Sequence, residues 1–102
     1  MFRIIETTTD DIQIANSISQ YIVKNKLSPC VQIIRPAKST YVWEGEIKSV
    51  DEYTLKIKTV SKHAYEVSSI IKDKSNYDVP EIISYRFSIE NDEYEEWFLE
   101  NV

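Results

Sequence analysis

The stretch CVQIIRPAKSTYVWEGEIKSVDEYTLKIKT, residues Cys30 to Thr59, decides how this chain folds. It holds the only glycine of the sequence, Gly45, between two arms rich in Val, Ile, Thr and Tyr. Glycine takes the positive φ of a tight reversal without steric penalty, so the stretch reads as one long β-hairpin turning at Glu44-Gly45. The second arm alternates, with Tyr53, Leu55 and Ile57 pointing one way and Thr54, Lys56 and Lys58 the other. Arms of about 14 residues reach roughly 46 Å at about 3.3 Å per residue. A compact domain of this length has a radius of gyration of about 13 Å, hence a diameter of roughly 33 Å. The hairpin is therefore too long for its own domain: it bends sharply, or its tip lies on another subunit. Pro36, within the first arm, cannot donate to a ladder and marks an edge or a bulge.

Outward from the hairpin, Phe2 to Thr7 reads as a first strand. Thr8 or Thr9 is placed to cap a helix with Asp10 and Asp11 in its first turn, where the macrodipole favours acids. Ile12, Ala15, Ile18 and Ile22 recur at helical spacing and give that helix a buried face; Lys24 and Lys26 suit its end, and Pro29 bars continuation. Ser61 is placed to cap a second helix with Ala64, Val67 and Ile71 inward, ending at Ser75-Asn76. Glu81 to Ile89 reads as a fourth strand, carrying Ile83, Tyr85, Phe87 and Ile89 on one face. Asn91 or Asp92 caps a last helix in which Tyr94, Trp97 and Phe98 fall at i, i+3 and i+4. The order is βαββαβ plus a C-terminal helix, an α+β chain. Right-handed crossovers put the first two helices on one face of a four-stranded sheet, the ferredoxin-like arrangement. The opposite face has no cover from within the chain, so the molecule reads as a subunit of an oligomer.

The 102 residues suffice for one domain, residues 1–102, with a modest core. No apolar run approaches the roughly 18 residues of a membrane span, and the N-terminal MFRIIETTTDD lacks the apolar core of a secretory signal. One cysteine cannot form an internal disulfide, which makes a reducing cytoplasm the expected location. The net charge of −5 is local. Residues 90–102 hold six acids and no base, and the rest has 11 acids against 12 bases. An acidic tail on a nearly neutral body argues against a nucleic-acid partner.

Several short landmarks recur in one order. They are Cys30-Val31, then Tyr41-Val42-Trp43-Glu44-Gly45, then Glu52 six residues before Lys58-Thr59, then Tyr77-Asp78-Val79-Pro80-Glu81, and last Tyr94-x-x-Trp97. Together they resemble the CutA divalent-cation-tolerance proteins over nearly the whole chain. The resemblance implies a ferredoxin-like homotrimer locked by its hairpins, similar in architecture to the PII-type nitrogen regulators. It also implies a link to tolerance of copper and other divalent cations, with Cu²⁺ or another divalent cation as the expected ligand, and no established enzymatic reaction. Two departures stand out: Ser75-Asn76 occupies the place of a common His-Pro, and Glu46 follows the hairpin glycine where lysine is frequent.

Cys30 is the only soft metal ligand; it is either a small core residue or, in three symmetry-related copies, part of a metal site. His63, the only histidine, reads as a surface residue and excludes HExxH-type spacings within one chain. Trp43, Glu52, Lys58, Tyr77, Pro80 and Glu81 are expected at a shallow cleft beside the hairpin, where a lysine and a tyrosine hydroxyl could hold a small anionic metabolite. The competing reading makes the same residues inter-subunit ion pairs and aromatic plugs. With one glycine there is no phosphate-binding loop, and no Ser/His/Asp set presents itself, so a binding module rather than an enzyme is expected, either for divalent cations or, with no direct metal role, for a small metabolite or a partner protein.

Overall fold

The hairpin turn is as tight as its sequence requires. In a computed structural model describing residues 1–102, β2 (Cys30–Trp43) and β3 (Glu46–Val60) are joined by Glu44 and Gly45 alone. Both have positive φ, 51° and 79°, the backbone of a type I′ reversal that matches the twist of its strands. β1 (Phe2–Thr9) pairs antiparallel with β3 from Phe2↔Val60 to Thr9↔Tyr53. β4 (Ile83–Arg86) pairs with the other edge of β1, giving the order β2-β3-β1-β4. α1 (Ile12–Lys24) and α2 (Ala64–Lys74) pack on one face, where Ala15, Ile18, Ile22, Val67 and Ile71 enclose Ile5, Leu55 and Ile57. Burying side chains of this size contributes about 1.5–3 kcal/mol each and fixes the strand register, since a one-residue slip would turn Leu55 and Ile57 to water.

Beyond Tyr53 the partner strand β1 has ended, and residues 37–52 continue as a two-stranded ribbon. The long axis of the chain is 46 Å against 25 and 21 Å across, and the radius of gyration is 14.3 Å. The hairpin thus projects straight, without the sharp bend that would have kept it within one compact body. Pro36 lies in a β-bulge: Ile34 faces Thr54, but the next paired residue, Ala37, faces Glu52. β2 thus carries one residue more than β3 across the bulge.

Five local features depart from the pattern of the sequence. The first strand runs to Thr9, because Thr7 and Thr9 are buried against the helices, and Asp11 rather than Thr8 or Thr9 caps α1 by accepting from the Gln13 N–H at 2.8 Å. Ile12 is exposed at the helix start and takes no part in the core. Ser61 does not cap α2, since its hydroxyl donates to the Met1 carbonyl and accepts from Arg3 Nε; a 3₁₀ turn, Ser61–His63, precedes the helix. The fourth strand is only Ile83–Arg86, because β1 begins at Phe2 and has no backbone left to pair with residues beyond Phe87.

The face opposite α1 and α2 is also partly covered. α3 (Asp92–Glu100), capped by Asn91 as its sequence requires, seats Phe98 in full burial. Phe98 makes edge contacts with Phe2 and Phe87 at 5.5 and 6.1 Å, an aromatic cluster over one end of the sheet. Such edge-to-face pairs add about 0.5–1.5 kcal/mol beyond their burial.

Candidate functional site

The bulge decides which side chains reach the site. Before it, odd-numbered residues of β2 face the helices, as Val31 and Ile33 do opposite Ile57 and Leu55. After it, the odd residues Ala37, Ser39, Tyr41 and Trp43 share a face with Glu52, on the other side of the sheet. Regular alternation would have turned Tyr41 and Trp43 away from Glu52. The inserted residue at Arg35-Pro36 points them toward it.

The second wall comes from the segment after α2. Asn76 accepts a hydrogen bond from the Thr9 hydroxyl at 2.6 Å and donates to the Asp10 carboxylate at 2.8 Å, which ties residues 75–81 to the end of β1. Ser75 Oγ accepts from the Tyr77 N–H at 3.1 Å and directs that side chain inward. The Tyr77 hydroxyl then donates to Glu52 Oε2 at 2.6 Å. Hairpin and segment enclose a cleft of roughly 760 Å³, lined among others by Tyr41, Trp43, Glu52, Tyr77, Pro80 and Glu81. That volume is within the range of small-molecule sites.

The electrostatics of the cleft are one-sided. Glu52 is 5% exposed, yet the Tyr77 hydroxyl is the only hydrogen-bond donor this chain gives its carboxylate. Burial, the hydrogen bond to Glu52 and the charge of Glu52 all hold the Tyr77 phenol well above its ordinary value. Burial, and then the charges of Glu52 and Glu6, raise the Glu81 carboxyl as well. Asp78 adds a third carboxylate to the lining, and no Lys or Arg is among the lining residues.

The remaining sequence candidates lie elsewhere. Lys58 is six residues along β3 from Glu52, about 20 Å in extended chain, and lines a smaller cavity with Ile4, Phe87 and Tyr94. It is therefore not a member of the cleft, and the lysine expected to hold an anion is absent from it. Cys30 opens β2 opposite Lys58, half-buried, with its backbone tied to Ser28. His63 ends the 3₁₀ turn without a side-chain capping bond. No three His, Cys, Asp or Glu side chains converge where they could hold a metal ion. Tyr41 and Asp78 were not among the expected site residues, although each stands within two residues of one; the period-2 relation of Tyr41 to Trp43 is the signal that finds the first.

A family model described as CutA1 divalent ion tolerance protein matches residues 3–101. The chain belongs to that family. It is 30% identical to the divalent-cation tolerance protein CutA of Thermus thermophilus, covering 99% of this chain and 98% of that protein. Similarity to CutA of Archaeoglobus fulgidus is also 30%, over 100% and 99% of the two chains. The solved structures from both organisms superpose with a TM-score of 0.92 and near-complete coverage, and the Archaeoglobus one is named periplasmic. The chloroplastic CutA of Arabidopsis thaliana is 31% identical, and the chain spans 52% of its length. The solved structures from a bacterium and an archaeon thus share the fold of this chain.

Proposed function

We propose that this chain is the subunit of a ferredoxin-like homotrimer that serves divalent-cation tolerance as a signalling-type binding module, with the hairpin cleft as its ligand site and no catalytic step. The carrying observation is the unsupported ribbon. A two-stranded hairpin in water is marginal by itself, yet residues 37–52 form one that exposes the cross-strand partners Val42 and Ile47, at 67% and 80%, on the face away from the cleft. Seating that apolar tip on neighbouring copies gives it a third layer. The strand order β2-β3-β1-β4, with both crossover helices on one face, supports the ferredoxin-like reading.

The inventory supports binding over chemistry. The cleft has no histidine, cysteine or serine-histidine pair, and its Tyr77 phenol, raised rather than lowered, is a poor base. Direct copper binding is the second reading and rests on Cys30, whose thiolate is a soft ligand when copies meet across subunits. A cytoplasmic location is proposed on the single unpaired cysteine; no helix is long and apolar enough to cross a membrane. Calorimetry with Cu²⁺ and Zn²⁺ beside a panel of small metabolites, on wild type and Cys30→Ser, tests the proposal. Metabolite binding that survives Cys30→Ser supports the cleft; Cu²⁺ binding alone, lost in Cys30→Ser, supports the copper reading and removes the cleft.

A further inference from the structure

Building on the reading of the hairpin cleft as a ligand site, we infer that the cleft takes a small organic cation, an alkylammonium or guanidinium compound, through three aromatic walls and three carboxylates. Tyr41, Trp43 and Tyr77 supply the walls, and Glu52, Asp78 and Glu81 the charge. Ring faces attract cations through their quadrupole, and they do so best for large cations that hold their water weakly. A nearby carboxylate adds the long-range attraction, and no base of this chain among the lining residues competes for it.

Glu52 is the second, independent pointer. Its side chain is more than nine-tenths buried and lines the cleft. Tyr77 satisfies Oε2, whereas the other oxygen receives no hydrogen bond from this chain and is not sealed from the cavity. A carboxylate held rigid on one side and open on the other is oriented for a donor that arrives from outside. The upward shift of Glu81, caused by burial and by Glu52 and Glu6, reflects the same negative field.

Two other ligand classes fit less well. A small anion would meet three carboxylates and no lysine or arginine. A divalent metal ion requires several convergent oxygen or nitrogen ligands, and the acids here do not converge. Aromatic rings offer nothing to a strongly hydrated ion.

Calorimetry with choline and agmatine as probes, glutarate as the anionic counterpart and Cu²⁺ as the metal tests the inference on the full chain. Tyr41→Leu keeps an apolar wall but removes the ring face, and Glu81→Gln removes one charge; both residues are exposed, so neither change attacks the core. One of the two cations is expected to bind once per protomer, each substitution weakening it about tenfold, with glutarate silent. Binding that is unchanged in both variants overturns the inference, as does the failure of both cations to bind. Glutarate or Cu²⁺ binding that is lost in the variants refutes the cation class and leaves the binding-module reading standing. No heat from any compound, with the trimer intact by mass, removes both.

Discussion

Tyr77→Phe deletes one oxygen and, with it, the only donor this chain offers to Glu52. The bond is 2.6 Å long and charge-assisted, and its acceptor is 5% exposed. Hydrogen bonds to charged groups contribute about 1.5–3 kcal/mol, and the lower end applies because Tyr77 is only half-buried. A loss of about 1.5 kcal/mol corresponds to a urea midpoint lower by roughly 0.5–1.5 M. Protomer concentration must be held fixed, since oligomer stability depends on it. In a cycle with Glu52→Gln the coupling energy is expected at about 1 kcal/mol, because the two side chains form one unit. The pH dependence has a definite sign. The phenol of Tyr77 is raised in the folded protein, so its contribution is complete below the ordinary tyrosine value of about 10 and is lost as pH rises beyond it. The gap between wild type and Tyr77→Phe should therefore narrow in strong alkali. An unchanged midpoint at neutral pH, or a coupling energy of zero, would refute the claim that this pair holds the wall of the cleft.

Three further outcomes are expected. Ile47→Asp should weaken assembly by roughly 30-fold or more in dissociation constant, the equivalent of about 2 kcal/mol for a charge placed in an apolar contact between copies; analytical ultracentrifugation that finds the same mass at every concentration contradicts it. Glu81→Gln should stabilise the protein at neutral pH and not at pH about 4, because a carboxyl raised on folding costs stability only above its unfolded value; a gain that persists in acid would assign the effect to something other than charge. Deleting Pro36 removes the extra residue of the bulge, and regular alternation through Arg35↔Tyr53 should leave Tyr41 and Trp43 on the face of Glu52. Near-native far-ultraviolet circular dichroism with retained ligand binding is expected, and loss of binding would show that the facing of Tyr41 and Trp43 does not depend on the residue count alone.

Much of this architecture was legible in residue patterns, and the failures have physical causes. The hairpin could be located because Gly45 and the alternation of Tyr53 to Lys58 are local signals. The Asn91 cap and the aromatic stripe Tyr94, Trp97, Phe98 could be read for the same reason. Alternation persists from Ile83 to Ile89 and predicts a longer fourth strand, whereas pairing stops where β1 has no more backbone to offer. Ser61 has the chemistry of a cap, but its hydroxyl is taken by Met1 and Arg3, partners remote in sequence. At the cleft, Glu52, Trp43, Tyr77, Pro80 and Glu81 do come together, and Lys58 does not. The end of strand three at Lys58 suggests a place beside the cleft, yet the strand carries that lysine toward the opposite end of the sheet. Pro36 announced a bulge, but proline alone does not say how many residues are inserted, and the facing of Tyr41 depends on that count. With Lys58 elsewhere, the cleft becomes wholly acidic, which no local pattern foretold.

In the proposed assembly the projecting hairpin joins the subunits. Light scattering coupled to gel filtration on the wild-type protein at micromolar concentration measures this directly. The expected mass is three times the 12.0 kDa of the chain. A mass of one chain, with the ribbon of residues 37–52 exposed to solvent, would contradict it.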